Sequence, residues 1–371
     1  MDGGVRMLDG VRIVEIEGIG PGPFAAMMLA DLGAEVVVVQ RPGGPGLPGM
    51  PQRNLLDRGK RSIALDMKSE SDRAVVRALI ERADGLIEGM RPGVMERLGL
   101  GPDDCHGLNP RLVYGRMTGW GQSGPRATQA GHDLNYAALS GALWYASPPG
   151  QPPFSPPTML GDIGGGALYL VAGMLAGLLR AGRTGQGAVV DAAITDGSAH
   201  MMALIMAMVP AGLFSEARGQ SLLDGPHWSR CYACADGGYV SVQCLEAKFY
   251  AEFLSLMGLA DDSDFARQHD ARLWPACSER LAALFAAKPR AHWAELFAGS
   301  DACVAPVLSP FEAAQDAHMA ARGAWLRAAD VLQPAPAPRF DGQVAAPGSI
   351  PARDQHRAEI LTELGLTVSG Q

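Results

Sequence analysis

The sequence has neither an excess of positive charge nor a long hydrophobic run. Its 31 Lys and Arg residues against 39 Asp and Glu residues give a formal net charge of -8, which argues against nucleic acid or an anionic membrane as a general partner. The longest apolar stretches, 167–179 and 200–214, are shorter than the roughly 20 residues that span a bilayer, so we expect buried helices and no membrane contact. No basic segment followed by an apolar one opens residues 1–17, and we expect a cytoplasmic protein.

Cysteine is scarce and scattered. The chain of 371 residues has six, at Cys105, Cys231, Cys234, Cys244, Cys277 and Cys303. A chain of this size without a visible secretory leader has little reason to build a disulfide framework. Cys231 and Cys234 are the one close pair, but a zinc or redox centre needs a second ligand pair or a thioredoxin-like context, and neither is visible. We therefore expect no metal site.

The first half of the chain alternates strand and helix patterns. Apolar alternation and short apolar runs predict strands at 11–17, 35–40, 62–66, 85–88, 111–117 and 188–192. Helical spacing predicts helices at 24–33, 73–83 and 166–180, and a glycine- and proline-rich loop is expected at 41–51. Such alternation is typical of the α/β class with a mostly parallel sheet.

Four regions follow from the pattern. We predict a large domain at 1–200, a linker helix and loop at 201–224, a small α+β domain at 225–325, and a return to the large domain at 326–371. The small domain is expected to begin with a hairpin, because Asp236-Gly237 is a strong turn signal.

The segment Gly18-Ile-Gly20-Pro-Gly22-Pro23 after the first strand is similar to a dinucleotide-binding fingerprint. However, Pro23 occupies the place of the third glycine, and Gln40 and Arg41 stand where a ribose-binding acid is expected. Arg41 suits a phosphate better than a ribose diol. The sequence therefore favours a nucleotide with an extra phosphate, such as coenzyme A, over NAD.

Two groups suited to proton transfer lie beside glycines. His132 is in Gly131-His-Asp-Leu-Asn-Tyr136, and Asp162 is in Gly161-Asp-Ile-Gly-Gly-Gly166, where a long helix is expected to begin. One group removing a proton from a carbon while the other delivers a proton to the opposite face would racemise that carbon. We hypothesise that N–H groups at the helix start stabilise the resulting enolate. The alternatives are a hydrogen-bonded loop histidine and an N-capping aspartate.

These motifs resemble the family III CoA-transferase superfamily over nearly the whole chain. The similar segments are 18–34, 86–102, Gly115-Arg-Met-Thr-Gly-Trp-Gly-Gln122, 131–136, 161–166 and 300–308. The resemblance implies an intertwined homodimer with a Rossmann-like large domain and a smaller α+β domain, and a site where two subunits meet. Within the superfamily the chain resembles the racemases of 2-methylacyl-CoA thioesters. It therefore implies a 1,1-proton transfer through an enolate, with CoA as part of the substrate and no separate cofactor.

The resemblance also implies residue roles. His132 and Asp162 match the two catalytic bases, Asp133 lies beside the first, and Glu246 matches an acid that supports the histidine. CoA contacts are implied for Arg41, Leu65, Asp66, Met67, Lys68, Gly89, Met90, Arg91, Arg97, Gly131, His132, Asp133, Leu134, Asn135 and Tyr136. Arg58, Lys60 and Arg61 are further cations expected to face phosphate.

Two other functions stay open. Transferases of the superfamily use the acid at the Asp162 position as a nucleophile, although they usually lack the histidine motif. A protein that only binds acyl-CoA would need neither base. The segment 225–230 departs from the family pattern, so the acyl group stays open among branched fatty, sterol side-chain and aryl-propionyl groups.

Overall fold

The computed structural model describes residues 6–44, 53–328 and 330–366. The chain forms two compact units. The large unit comprises the described residues of Met1–Ala142, Ser155–Met201 and Ala320–Gln371, and the small unit comprises Leu143–Phe154 and Met202–Met319. Most of the loop predicted at 41–51 lies outside the described residues, which stop at Gly44 and resume at Arg53.

The large unit is built on a six-stranded parallel sheet. Its strands are β1 (Arg12–Ile16), β2 (Glu35–Gln40), β3 (Lys60–Ala64), β4 (Gly85–Glu88), β5 (Val113–Thr118) and β6 (Ala188–Ala193). Their order is β3-β2-β1-β4-β5-β6, with every pair parallel. The order reverses between β1 and β4, as in the doubly wound dinucleotide-binding fold. The predicted α/β class with a Rossmann-like large domain is confirmed.

The apolar runs explain the central strands. In β2 the four consecutive valines are all buried, because helices cover both faces of a parallel sheet. In β1, Ile13 packs into the core on one face and Val14 into the core on the other. The predicted bounds of β2 and β4 match the observed strands.

The third strand was predicted two residues too late, at 62–66. β3 begins at Lys60, whose ammonium group is buried and pairs with Glu15 at 2.5 Å and with Asp57 at 3.6 Å. Charged side chains normally lie outside a buried strand, so the sequence pattern excluded Lys60. Ion pairs with Glu15, distant in sequence, and with the nearby Asp57 make the position tolerable inside the sheet.

Helices cover the sheet and complete both units. In chain order they are α1 (Pro21–Asp31), α2 (Glu70–Glu81), α3 (Val94–Arg97), α4 (Pro102–Leu108), α5 (Asp133–Ser140), α6 (Leu168–Thr184), α7 (Ile194–Met201), α8 (Ala203–Met208), α9 (Ala247–Leu256), α10 (Trp274–Phe285), α11 (Arg290–Leu296), α12 (Pro310–Ala313), α13 (Ala317–Ala321) and α14 (Arg357–Leu364). A π-helix, Met159–Ala167, runs directly into α6. Helices α2, α4 and α14 pack on one face of the sheet, and α1 and α6 pack on the other.

The π-helix and α6 are longer than predicted. Together they form one helix, Met159–Thr184, of 26 residues. It contains an 18-residue window with a mean hydropathy of 1.6, so it could cross a membrane by length and composition. The same test is passed by core helices of soluble proteins, and Leu170, Val171 and Met174 of this helix are buried in the core of the large unit. The expectation that no membrane is bound stays a prediction.

The small unit contains a three-stranded antiparallel sheet. Strands β7 (Ser229–Ala233) and β8 (Tyr239–Gln243) form the predicted hairpin, and β9 (Val304–Val307) pairs with β8. Its core is rich in aromatic side chains, including Trp228, Phe253 and Phe285. The segment 225–230, which departs from the family pattern, contributes Trp228 to this core. The Trp228 Nε1 atom donates to the Gln268 carbonyl at 3.2 Å. A further hairpin in the C-terminal part of the chain joins β10 (Trp325–Ala328) and β11 (Val331–Pro334).

The unit boundaries differ from the predicted domains. The segment Leu143–Phe154, predicted to lie in the large domain, belongs to the small unit. The linker predicted at 201–224 also belongs to the small unit, except for Met201. The side chains of Trp144 and Tyr145 each donate to a backbone carbonyl of 215–216 at 2.8 Å. Contacts between segments about seventy residues apart hold this region together, and no local pattern reports them.

Candidate active site

A cavity of about 350 Å³ opens at the carboxyl edge of the sheet. Its walls come from the ends of β1, β4 and β5 and from the turns that follow them, with His132, Tyr136 and Asp162 added from elsewhere in the large unit. The strand order reverses between β1 and β4, and ligands of doubly wound folds bind at such a switch point. The two predicted proton-transfer groups therefore line one ligand-sized cavity.

The start of α5 fixes the backbone of His132. The residue is the N-cap of this helix, and its carbonyl accepts N–H bonds from Asn135 at 2.8 Å and Tyr136 at 3.2 Å. The Asn135 side-chain oxygen in turn accepts the His132 N–H at 3.1 Å. The imidazole is exposed. This cap holds the histidine backbone and leaves the imidazole accessible to a ligand.

Asp162 does not begin its helix as predicted. It is the fourth residue of the π-helix, which starts at Met159. The Asp133 carboxylate accepts the N–H groups of Gly161 at 2.9 Å and Asp162 at 2.8 Å, so these donors are occupied. The hypothesis that they stabilise an enolate is therefore wrong. A Cβ on Gly161 would lie 2.7 Å from that carboxylate, which explains the glycine.

Burial changes the acidity of Asp162. Burial, the largest effect, and the charge of Asp133 together raise the pKa of its carboxyl to about 6, against a smaller lowering effect of His132. A carboxyl with this pKa populates both protonation states near neutral pH. Asp162 can therefore serve as acid or as base in this cavity.

Aromatic side chains form the wall beside His132. The Tyr136 hydroxyl donates to the Gly131 carbonyl, and its ring lies edge-on to Trp120 with centroids 4.7 Å apart. A Cβ on Gly119 would lie 1.9 Å from the Tyr136 ring, so only glycine fits there. The indole nitrogen of Trp120 is buried and has no hydrogen-bond partner among the described residues. Trp120 lies in the segment 115–122 that resembles the family, but its sequence position alone indicates no role for it.

The turn after β4 also reaches the cavity. Gly89, Met90 and Arg91, all predicted CoA contacts, line it. Glu88 accepts the Met90 N–H at 2.6 Å and pairs with Arg116 at 2.9 Å. Burial raises the pKa of Glu88 against the opposing effects of Met90 and Arg116. Glu88 was not among the site residues predicted from the sequence, although an acid at the end of a buried strand indicates a turn fixed by hydrogen bonds.

Other predicted contacts lie along the same edge but outside the cavity lining. Arg41 follows β2, Leu65 and the residues to Lys68 follow β3, and Arg97 ends α3. Arg41, Asp66, Lys68 and Arg97 are exposed, whereas the side chain of Leu65 is buried in the core. At Leu65 only the backbone remains for a ligand. The contacts of these residues with CoA stay predictions.

Three cations expected to face phosphate form ion pairs with carboxylates of the large unit instead. Arg58 is buried and pairs with Asp31 at 2.5 Å. Lys60 is buried with Glu15, as described above. Arg61 pairs with Glu35 at 2.7 Å and with Glu363 at 2.8 Å. Their charges are neutralised locally, so the expectation that they bind phosphate is wrong.

Glu246 belongs to the small unit, where it is the exposed N-cap of α9. Its predicted support of His132 stays a prediction. The six cysteines, all within the described residues, form no disulfide. Among the described residues no cluster of three or more His, Cys, Asp or Glu side chains is arranged to hold a metal ion.

A parallel sheet of this order with a cavity at its switch point defines the doubly wound, Rossmann-like class of nucleotide-binding folds. Residues 8–357 match the family described as CoA-transferase family III, and the chain belongs to that family. The chain is 40% identical to the alpha-methylacyl-CoA racemase of Mus musculus over 366 residues, which cover 97% of this chain and 94% of the relative.

Two further matches have lower sequence identity to this chain. Acetyl-CoA:oxalate CoA-transferase of Acetobacter aceti is 30% identical over 343 residues, covering 88% of this chain and 87% of the relative. The crystal structure of a CAIB/BAIF family protein from Brucella suis superposes with a TM-score of 0.80 at 27% identity. The superposed region covers 96% of this chain and 98% of the Brucella suis chain. The family resemblance noted in the sequence is therefore confirmed.

Proposed function

We propose that the protein is an isomerase that racemises 2-methylacyl-CoA thioesters at the α-carbon. The observation that carries the proposal is that His132 and Asp162 line one cavity, with a pKa of about 6 for Asp162. The 40% identity to the alpha-methylacyl-CoA racemase of Mus musculus supports the choice of substrate. Chemistry of this kind belongs to fatty acid and lipid metabolism.

In the proposed reaction each enantiomer is deprotonated by a different group. Neutral His132 takes the α-proton of one enantiomer, and protonated Asp162 gives its proton to the opposite face of the enolate. The products are protonated His132 and ionised Asp162, which together catalyse the reverse reaction. Two groups that already hold the right protons complete the exchange, so we propose that no separate cofactor takes part. Each group is expected to contribute about a hundred- to ten-thousandfold in rate.

The start of α5 supplies an enolate-stabilising site in this proposal. The first N–H groups of a helix have no partner within it. Within the described ranges, Asp133 and Leu134 have no acceptor for their N–H groups, and both directly follow His132. The positive end of the helix dipole adds to the attraction for negative charge on the thioester oxygen.

The rest of the substrate would lie along the carboxyl edge of the sheet. Gly89, Met90 and Arg91 belong to the same cavity as the bases, and Arg41 and Arg97 supply exposed positive charge farther along that edge. Guanidinium groups suit phosphate because they donate paired hydrogen bonds. We propose that these residues hold the nucleotide portion of CoA.

We also propose an intertwined homodimer in the cytoplasm. Leu134, Leu139 and Met159, close in sequence to the catalytic groups, are 45%, 57% and 60% exposed. Contiguous exposed apolar surface marks protein–protein contacts, and we propose that a second copy of the chain covers these three side chains. Six cysteines without a disulfide suit a reducing compartment.

The second candidate is CoA transfer. The 30% identity to acetyl-CoA:oxalate CoA-transferase of Acetobacter aceti favours it as an alternative. In that reaction Asp162 would attack the thioester as a nucleophile, and His132 would have no essential role.

One experiment separates the two candidates. Optically pure 2-methylacyl-CoA is incubated in D2O without an acceptor acid, and deuterium uptake and optical purity are followed. We expect uptake with loss of optical purity in the wild type, and loss of racemisation in His132→Gln and Asp162→Asn. Asp103→Asn, an exposed acid on α4, serves as the control. If the wild type takes up no deuterium but transfers CoA once a carboxylate is added, CoA transfer replaces racemisation as the proposed function.

A further inference from the structure

We propose that Glu17 and Arg353 form a clamp that positions Arg41 to bind a phosphate of coenzyme A. The inference rests on the proposed acyl-CoA substrate and adds two positioning residues to its binding site. Neither residue was among the site residues predicted from the sequence. Glu17 follows β1 directly, and Arg353 lies in the C-terminal part of the chain, shortly before α14.

The clamp holds both polar groups of the Arg41 backbone. The Arg41 N–H donates to Glu17 Oε2 at 2.8 Å. The Arg41 carbonyl accepts Nη1 of Arg353 at 2.7 Å. Arg353 also closes on Glu17 with two nitrogens, Nη2 to Oε1 at 2.6 Å and Nη1 to Oε2 at 3.2 Å. Glu17, Arg353 and the backbone of Arg41 thus form a closed ring of hydrogen bonds.

A turn completes the restraint. The Arg41 carbonyl also accepts the N–H of Gly44 at 3.1 Å, which closes a four-residue turn after β2. Gly43 and Gly44 have φ angles of 80° and 91°, a region that glycine adopts readily. The backbone of Arg41 is therefore fixed on both sides, while its side chain is exposed.

Arg353 acts through Arg41 rather than on the ligand. Its Nη1 and Nη2 atoms donate to Glu17 and to Arg41, and its side chain is only 26% exposed. Fixing a backbone before binding removes part of the ordering cost of binding. The clamp thus directs the Arg41 guanidinium toward a phosphate at the edge of the sheet. The Coulomb attraction between Glu17 and Arg353 keeps the acid from competing for the Arg41 side chain.

The test is the affinity for coenzyme A itself, measured by calorimetry on the full-length protein. Arg353→Lys keeps the charge but loses the paired bond to Glu17, and we expect CoA to bind about tenfold more weakly. Arg41→Ala should weaken binding at least as much. The double variant should bind CoA as weakly as Arg41→Ala alone, because Arg353 acts on CoA binding only through Arg41.

A matched control separates positioning from general anchoring of the C-terminal segment. Arg357 pairs with Asp354 at 2.9 Å in the same segment but does not contact Arg41. We expect Arg357→Lys to leave CoA affinity within about twofold of the wild type. Equal weakening by Arg357→Lys and Arg353→Lys, or an additive double variant, would overturn the clamp.

A truncated substrate gives a second readout. The N-acetylcysteamine thioester of the same acyl group has no nucleotide, so Arg353→Lys should leave its turnover unchanged while raising KM for the CoA thioester. If Arg353→Lys lowered kcat/KM equally for both substrates, Arg353 would have only a structural role. If the wild type does not bind CoA, the proposed function and the clamp both fail. If it binds CoA and Arg353→Lys binds equally well, only the clamp fails.

Discussion

At the scale of single residues, the site depends on an aspartate held in an unfavourable environment. Asp162 is partly buried and close to the charge of Asp133, and both effects raise the pKa of its carboxyl to about 6. The ionised form is therefore less stable in the folded protein than in the unfolded chain. In the proposed reaction the same environment lets this carboxyl deliver a proton near neutral pH.

This environment predicts a pH-dependent gain in stability for Asp162→Asn. Because the folded pKa lies above the unfolded value of 3.8, the wild type loses stability as the pH rises from about 4 to about 6. The amide does not ionise, so the variant should be more stable by about 1 kcal/mol at pH 8, after allowance for solvent screening. The gain should vanish near pH 4. Denaturant unfolding at both pH values measures it, and an equal difference at both would contradict the raised pKa.

At the scale of elements, the start of α5 and the π-helix are joined by one side chain. The buried Asp133 carboxylate accepts the N–H groups of Gly161 and Asp162, and the residue follows His132 directly. The two proton-transfer groups thus belong to elements tied together by a single carboxylate. We regard Asp133 as a positioning residue through this oxygen.

Removal of that oxygen should affect both stability and catalysis. In Asp133→Ala the buried N–H of Gly161 and the partly buried N–H of Asp162 lose their acceptor. We expect a loss of about 2 to 4 kcal/mol in the free energy of unfolding. Asp133→Asn keeps an oxygen acceptor, so its free energy of unfolding should fall by less than half as much as that of Asp133→Ala. Denaturant unfolding and α-proton exchange are measured on both variants. Equal stability of Asp133→Ala and the wild type would show that the link does not hold the site.

At the scale of the whole molecule, the proposed dimer should depend on the exposed apolar residues of α5. Leu139 is 57% exposed, and burial of a leucine at an interface is worth about 1.5 to 3 kcal/mol. We expect sedimentation to show a dimer for the wild type and a shift toward monomer for Leu139→Asp. Leu108→Asp on α4, which packs on the other face of the sheet from α1 and α6, is the control. A monomeric wild type would contradict the proposal.

Much of this architecture could be predicted from the sequence, because local patterns and motifs report it. The four valines of β2 and the Asp236-Gly237 turn gave their elements correctly. The helix predicted at 166–180 left out Gly164 and Gly165, which belong to the π-helix. In the structure they allow close packing, since a Cβ on Gly165 would lie 2.9 Å from the Ile194 carbonyl. Such contacts, like the burial of Lys60, depend on residues distant in sequence.

The candidate site likewise has a part that motifs predict and a part that only the structure shows. Motifs placed His132 and Asp162 in the cavity that the structure contains. They did not indicate that Asp133 occupies the N–H groups beside Asp162, or that Arg353 holds Arg41. The binding residues are thus recognisable from sequence, whereas the side chains that hold their backbones become visible only in three dimensions.

The central claim is that His132 and Asp162 act on opposite faces of one carbon. It is tested most directly by α-proton exchange in D2O on each pure enantiomer separately, using His132→Gln and Asp162→Asn. Each variant should retain exchange of the one enantiomer whose proton faces its remaining base, and the two variants should differ in which enantiomer that is. Loss of exchange for the same enantiomer in both variants, or undiminished exchange of both enantiomers in either, would contradict the account.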